Sequence, residues 1–282
     1  MEEDAATYPK IEVVIPTGYV KDYVLLYMIA ALEWLDYPHD RMEITWAITT
    51  VKDTPELDET QDAYYNRVTR LMETAHIDCP WSINKVYISQ KQAGTGFMPI
   101  LKNRQYLRGH FLDGDADYFM MVGGDNPPLR DAAKRLLKLD ADVAFGVSYQ
   151  RPERDRALGI YPMVWKYAWT MDELKKYNLP LDKLEHFRNA FLNATLYVPI
   201  WAIPNWKRYK TMTTVAGGDG NCLTRREVIE NIGWSLPGIV GGNLGYHSED
   251  LHWFNQVNLA GYKTIVDLKY RVPHIHTTGE NF

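Results

Sequence analysis

The sequence predicts an α/β protein with a mostly parallel central sheet covered by helices on both faces. Three observations carry that prediction. Short β-branched runs alternate with segments of helical period through the first 150 residues. Several of those runs, "YFMMV" above all, are apolar at every position rather than at alternate ones, as in strands buried on both sides. The chain has 282 residues, 46% of them hydrophobic, enough for one large core without covalent staples.

The elements follow in order. "KIEVVIP" reads as a first strand closed by Pro16, and Val20 to Leu35 as a helix ended by "DYPHD". "MEITWAITT" is a second strand. "DETQDAYYNRVTRLMETAH" is an amphipathic helix with an acidic first turn, the end that the helix dipole favours for acids. "INKVYIS" is a third strand, "MPILKNRQYLRGHFL" a helix, "ADYFMMV" a fourth strand, "LRDAAKRLLKL" a helix and "ADVAFGVSY" a fifth strand. The alternation stops near residue 150. Residues 151–215 are rich in Tyr, Trp, Pro and Arg without clean period, apart from helical stretches at "MDELKKYNL" and "LDKLEHFRNAFL". "VAGGDGNCLTRREVIENIGW" reads as a Gly-rich turn leading into a short helix, "SEDLHWFNQVNLAG" as a helix ended by Gly261, "YKTIVDL" as a strand, and "YRVPHIH" closes the chain. With no repeat and no low-complexity linker, a single domain over residues 1–282 is expected, with an irregular second half.

Composition excludes several classes. Net charge is −5 with no basic run, which argues against nucleic acid as a partner. Two cysteines without CxxC spacing give neither a disulfide framework nor a thiolate zinc site. The acidic, polar start "MEEDAATYPK" is not a signal peptide, and no apolar run reaches the ~20 residues of a membrane span, so a cytoplasmic location is expected, with contact at a membrane surface left open. The nine Trp and nineteen Tyr read either as aromatic core or as a stacking surface for sugar rings.

Candidate chemistry gathers where strands end, because ligands of such sheets bind beyond the carboxyl ends of the strands. In "MVGGDNPP" the strand stops at Gly123 and Gly124, which let a ligand approach the backbone, and then presents Asp125, an oxygen donor suited to a divalent cation. The same Asp is also ordinary turn and helix-start chemistry. Glu249 and Asp250 open a helix, where they either stabilise its dipole or serve as a general base. His274 and His276, one residue apart, are either an incidental pair or a complement to Asp125 at a metal. Lys102, Asn103 and Arg104 near a helix start are either a solvated face or contacts to a phosphate or base.

In this order the motifs resemble the inverting family-2 glycosyltransferases of GT-A fold. "VVIPTGY" matches the opening strand, Asp53 in "TTVKDTPE" the acid after strand two, and "KNR" the "ARN"-like helix signature. "MVGGDNPP" matches the DxD-type strand end, "GGDGNCLTRREVIENIGW" the acceptor loop leading to "RRE", and "SEDLHWFNQVNLAGYKTIVD" the ED helix, with a His near the end. The resemblance covers about residues 10–276. It implies a Rossmann-like nucleotide-sugar-binding half over about residues 10–150 and an acceptor-binding, catalytic half over about residues 151–282. It also implies a donor site of Pro16, Thr17, Asp53, Lys102, Asn103, Arg104, Gly123, Gly124 and Asp125, and an acceptor loop at Gly217, Gly218 and Asp219. Asp250, or its neighbour Glu249, takes the place of the general base. By the same resemblance Asp125 with His274, or His276, would hold a divalent cation, Mn²⁺ or Mg²⁺. The expected partners are a UDP- or GDP-sugar donor and a carbohydrate or glycoconjugate acceptor. Gly123 stands where the family has the first acid of DxD. The competing readings are a sugar-nucleotide pyrophosphorylase-like enzyme, against which stands the lack of a "GGxGTR" loop after strand one, and a non-catalytic carbohydrate-binding relative.

Overall fold

The structure is a computed structural model and describes residues 7–18, 24–49, 66, 70, 83–88, 98–150, 161–168, 196–200, 203, 205–218, 220–235 and 249–275. Strands β1 (Ile11–Gly18), β2 (Met42–Thr49), β3 (Ile83–Ile88) and β4 (Tyr118–Val122) form the parallel half of the main sheet. The other half holds β5 (Val143–Gln150), with β6 (Tyr161–Pro162) paired to it, β9 (Thr211–Thr213), β11 (Asn221–Arg225) and β12 (Thr264–Val272). The strand order is β3-β2-β1-β4-β11-β5-β12-β9. β11 runs antiparallel to both neighbours, so β4, β5 and β12 share one direction and their carboxyl ends lie along one edge with those of β1 to β3. A second, three-stranded antiparallel sheet orders β10 (Val215–Gly217), β7 (Val164–Ala168) and β8 (Leu196–Pro199).

Both faces of the main sheet are covered, which is why its strands are continuously apolar. In β4, Phe119 and Met121 pack into one core cluster, and Met120 and Val122 into the other. The first cluster is closed by α2 (Met98–Asp113), α4 (Arg226–Asn231) and α5 (Glu249–Leu259) through Leu107, Phe111, Val228, Ile229, Trp253 and Phe254. The second is closed by α1 (Leu25–Glu33) and α3 (Ala132–Leu137) through Met28, Ile29, Leu32, Ala133 and Leu136. Trp46, Trp234 and Trp253 are buried, so these three tryptophans are core rather than stacking surface; Trp234 and Trp253 stack at 4.9 Å.

Most expected elements are present, with shifted ends. β1 runs through Pro16 to Gly18, because its partner β2 continues the ladder to Thr49. α1 and α3 are shorter than the apolar pattern suggests, and β12 extends four residues beyond "YKTIVDL" to Val272. Gly261 ends α5 with φ +85°, the left-handed turn expected of it. The second helix of the sequence reading and the two between residues 169 and 195 fall outside the described residues, except that Asn66 and Arg70 are helical.

The main correction is β11. The stretch "NCLTR" reads as part of a Gly-rich turn, but it is a central strand, hydrogen-bonded on both sides. Its polar residues hid it. Asn221 and Thr224 are buried, and Asn221 is tied on both sides of its amide: the phenol of Tyr270 donates to Oδ1 at 3.1 Å, and Nδ2 donates to the carbonyl of Asn126 at 2.9 Å.

Candidate active site

The carboxyl edge of the sheet brings Asp125 and His274 together from distant parts of the chain. After β4 the chain makes a turn over Gly123 to Asn126, closed by the Asn126 amide donating to the Gly123 carbonyl at 2.8 Å. Asp125 is the third residue of that turn and is buried at 7% exposure. After β12 the chain crosses the ends of β5 and β11 and reaches the turn. There His274 Nε2 lies 3.0 Å from Asp125 Oδ2, and the Ile275 amide donates to the Asp125 carbonyl at 3.0 Å. His274 Nδ1 donates to the Tyr149 carbonyl at 3.1 Å.

That last bond decides what the pair can hold. A carbonyl only accepts, so Nδ1 carries the proton and Nε2 of the neutral ring presents a lone pair. The ionised carboxylate facing it also only accepts. Two lone-pair donors at 3.0 Å need a positive centre between or beside them, either a proton on Nε2 or a metal ion. A carboxylate and an imidazole are the donor types that a first-row divalent cation such as Mn²⁺ takes, so these residues fit the cation the family resemblance implies. Among the described residues no group of three or more His, Cys, Asp or Glu forms a ligand cluster, so these two are the described protein donors. His276 lies outside the described residues.

A second constellation joins α2 to the first turn of α5. Arg104 is buried on α2, and its Nη1 meets Glu249 Oε1 at 2.9 Å and Asp250 Oδ1 in a close ion pair. The two neighbouring carboxylates thus share one guanidinium. They differ in access: the Glu249 side chain is 4% exposed and that of Asp250 17%. Glu249 is sealed in, whereas Asp250 keeps an outlet. Among the described residues, Glu249 Oε2 and Asn103 Oδ1 are buried atoms without a hydrogen-bond partner.

The sequence-expected residues therefore separate. Asp125 and His274 meet, and Arg104 meets Glu249 and Asp250. Arg104 and Asn103 are buried, not a solvated face, and Lys102 beside them is partly exposed. Pro16 lies near the end of β1, partly exposed; Thr17 follows in the strand, with its side chain outside the description, as is all of Asp53. Gly124 is buried within the turn. Gly217 is a strand residue of β10, and a side chain there would run into the ring of Phe145, so its glycine serves packing. Among the described residues nothing lies within 4 Å of a Cβ at Gly218, and Asp219 lies outside the described residues. Reading the sequence missed Asn126, Asn221 and the Tyr149 carbonyl. The signal for Asn126 lies in "GGDNPP", where an Asn after Asp and before Pro reads as ordinary turn chemistry.

No protein-family model and no curated protein matches this sequence. Solved structures do. The mannosyltransferase PcManGT from Pyrobaculum calidifontis, in complex with GDP-Man and Mn²⁺, matches with a TM-score of 0.51 at 13% identity, over 98% of this chain and 60% of that one. Residues 1–349 of TarS from S. aureus match at 0.49 and 12% identity, over 93% and 59%. A CMP:2-keto-3-deoxy-manno-octonic acid synthetase complexed with CTP matches at 0.47 and 15% identity, over 95% and 94%. The chain spans about 60% of the length of the mannosyltransferase. At such identity the likeness is one of fold, and the chain has the α/β fold of that glycosyltransferase, with the mostly parallel GT-A sheet the sequence predicts.

Proposed function

We propose that the protein is a metal-dependent glycosyltransferase that moves a sugar from a nucleotide-sugar donor to an acceptor hydroxyl with inversion, in the manner of family 2. The observation that carries this reading is the meeting of Asp125 and His274 at the carboxyl edge of the sheet, 149 residues apart in sequence and 3.0 Å apart in space. The mannosyltransferase of the same fold is in complex with GDP-Man and Mn²⁺, which supports a divalent cation and a GDP-sugar here, with a UDP-sugar the other donor implied by the sequence resemblance.

Asp125 and His274 would hold the cation, and a cation so held would offset the charge that builds on the leaving diphosphate. The remaining work falls to the chain itself. A hydroxyl is a poor nucleophile, and a positioned carboxylate that takes its proton contributes about 10²–10⁴-fold. Asp250 fills that role better than Glu249, since Glu249 is sealed against Arg104 while Asp250 keeps access to solvent. Arg104 orients the Asp250 carboxylate, and Glu249 in turn fixes Arg104. Alignment of donor and acceptor supplies a further large part of the acceleration.

Asp250→Asn tests the assignment of the base. The amide keeps the shape of the side chain but accepts no proton from the acceptor. Transfer should fall by about 10²-fold or more, with nucleotide-sugar affinity within a few-fold of wild type. Transfer near the wild-type rate would move the base elsewhere.

A further inference from the structure

We propose that Asn126 is the positioning residue of this site: its side chain stands where the first acid of a DxD-type strand end would start, and it holds Asp125 beside His274. The inference rests on reading Asp125 and His274 as a cation-binding pair.

Two observations carry it. The first is space. A Cβ at Gly123 would lie 2.6 Å from Asn126 Oδ1, and one at Gly220 would lie 3.1 Å from Asn126 Cγ. The amide of Asn126 thus fills the gap between two glycines, and no side chain at position 123 fits while it does. The missing acid and the presence of Asn126 are one feature.

The second is connection. Asn126 Nδ2 donates to the Pro273 carbonyl at 3.0 Å, one residue before His274, and the Ile275 amide donates to the Asp125 carbonyl, one residue after it. These two bonds bracket His274 and end on the adjacent residues Asp125 and Asn126. The backbone of Asn126 is itself anchored, by the Asn221 amide at 2.9 Å, and Asn221 is oriented by the phenol of Tyr270. Burial raises the pKa of that phenol, so it stays neutral and keeps its proton to donate. An acid at 126 would turn an acceptor toward the Pro273 carbonyl, whereas Asn offers the N–H that the bond needs.

The experiment compares wild type with Asn126→Ala, Gly123→Asp, the double variant Gly123→Asp/Asn126→Gly, and Asp125→Ala. Three readouts are taken: Mn²⁺ alone titrated by its EPR signal, Tm in EDTA, and the imidazole NMR signals of His274 in EDTA, assigned with His274→Gln. We expect Asn126→Ala to weaken Mn²⁺ binding about 10-fold and to lose the slowly exchanging Nδ1–H signal of His274. Gly123→Asp alone should lower Tm, and removing the Asn126 side chain in the double variant should recover it, together with Mn²⁺ affinity above that of Asn126→Ala. Mn²⁺ affinity of Asn126→Ala within about twofold of wild type, with an unchanged His274 signal, overturns the inference and leaves the Asp125–His274 pair standing, with Asp125→Ala as its control. Failure of the wild type to bind Mn²⁺ overturns the metal reading instead, and the His274 signal in EDTA still decides what Asn126 does.

Discussion

Glu12 shows how a single residue at the far end of the sheet shapes stability. It lies near the start of β1, away from the site, is 2% exposed, and faces His110 of α2 at 2.9 Å. Burial pushes its carboxyl above the ordinary range; hydrogen bonds from Thr45 and His110 and the charge of His110 pull it back down, while Glu43 adds a like charge. A carboxyl whose pKa is raised on folding contributes stability that is fully present below its unfolded value, near 4.5, and is lost as pH rises through the folded value. Glu12→Gln should therefore melt above wild type at pH 8, with the difference narrowing as pH falls toward 4.5. Thermal melts across that range check this, and a constant difference at all pH values would show that His110 fully offsets the burial. None of this was legible in the sequence, where "KIEVVIP" shows only an acid inside a strand. The acid is tolerated because a helix from 98 residues later brings it an imidazole.

At the scale of elements, the first half of the chain was readable because its strands and helices bury apolar faces with their own periods. Where burial is satisfied by polar partners, the pattern disappears, and β11 is the case in point. Glycine placement carries the rest. Gly146 of β5 faces the irregular part of β12, where the register shifts between Asp267 and Arg271. A Cβ at Gly146 would lie 2.5 Å from the Tyr270 ring and 2.6 Å from Val272, both buried. Gly146→Ala should destabilise by about 1–3 kcal/mol, the usual penalty of overpacking, because neither neighbour has room to move. Urea unfolding measures it, and an unchanged midpoint would mean that β12 shifts at this point without loss. The start of α5 was legible for another reason. Acids in the first turn of α5 fit its dipole, but their shared guanidinium lies on α2, 145 residues away, and no local pattern announces such a partner.

For the whole molecule, the order of motifs gave the fold, and the sheet then placed the motifs. Parallel strands bring β4 and β12 to one edge, so Asp125 and His274 meet although the reading of each residue alone left a bland alternative open. Asp53, Asp219 and His276 lie outside the described residues and remain expectations from resemblance. No described helix is long and apolar enough to cross a membrane. The most direct test of the proposed transferase is a thermal-shift screen with GDP-mannose and a panel of UDP- and GDP-sugars, with and without Mn²⁺, on wild type and Asp125→Ala. A donor at about 100 times its dissociation constant stabilises the native state by about 2.7 kcal/mol, well within reach of such a screen. We expect one donor class to raise the Tm of wild type only when Mn²⁺ is present, and Asp125→Ala to lose that rise. A donor shift that is equal without Mn²⁺ or equal in Asp125→Ala, or no shift with any donor, would contradict a metal-bridged donor site at Asp125 and His274.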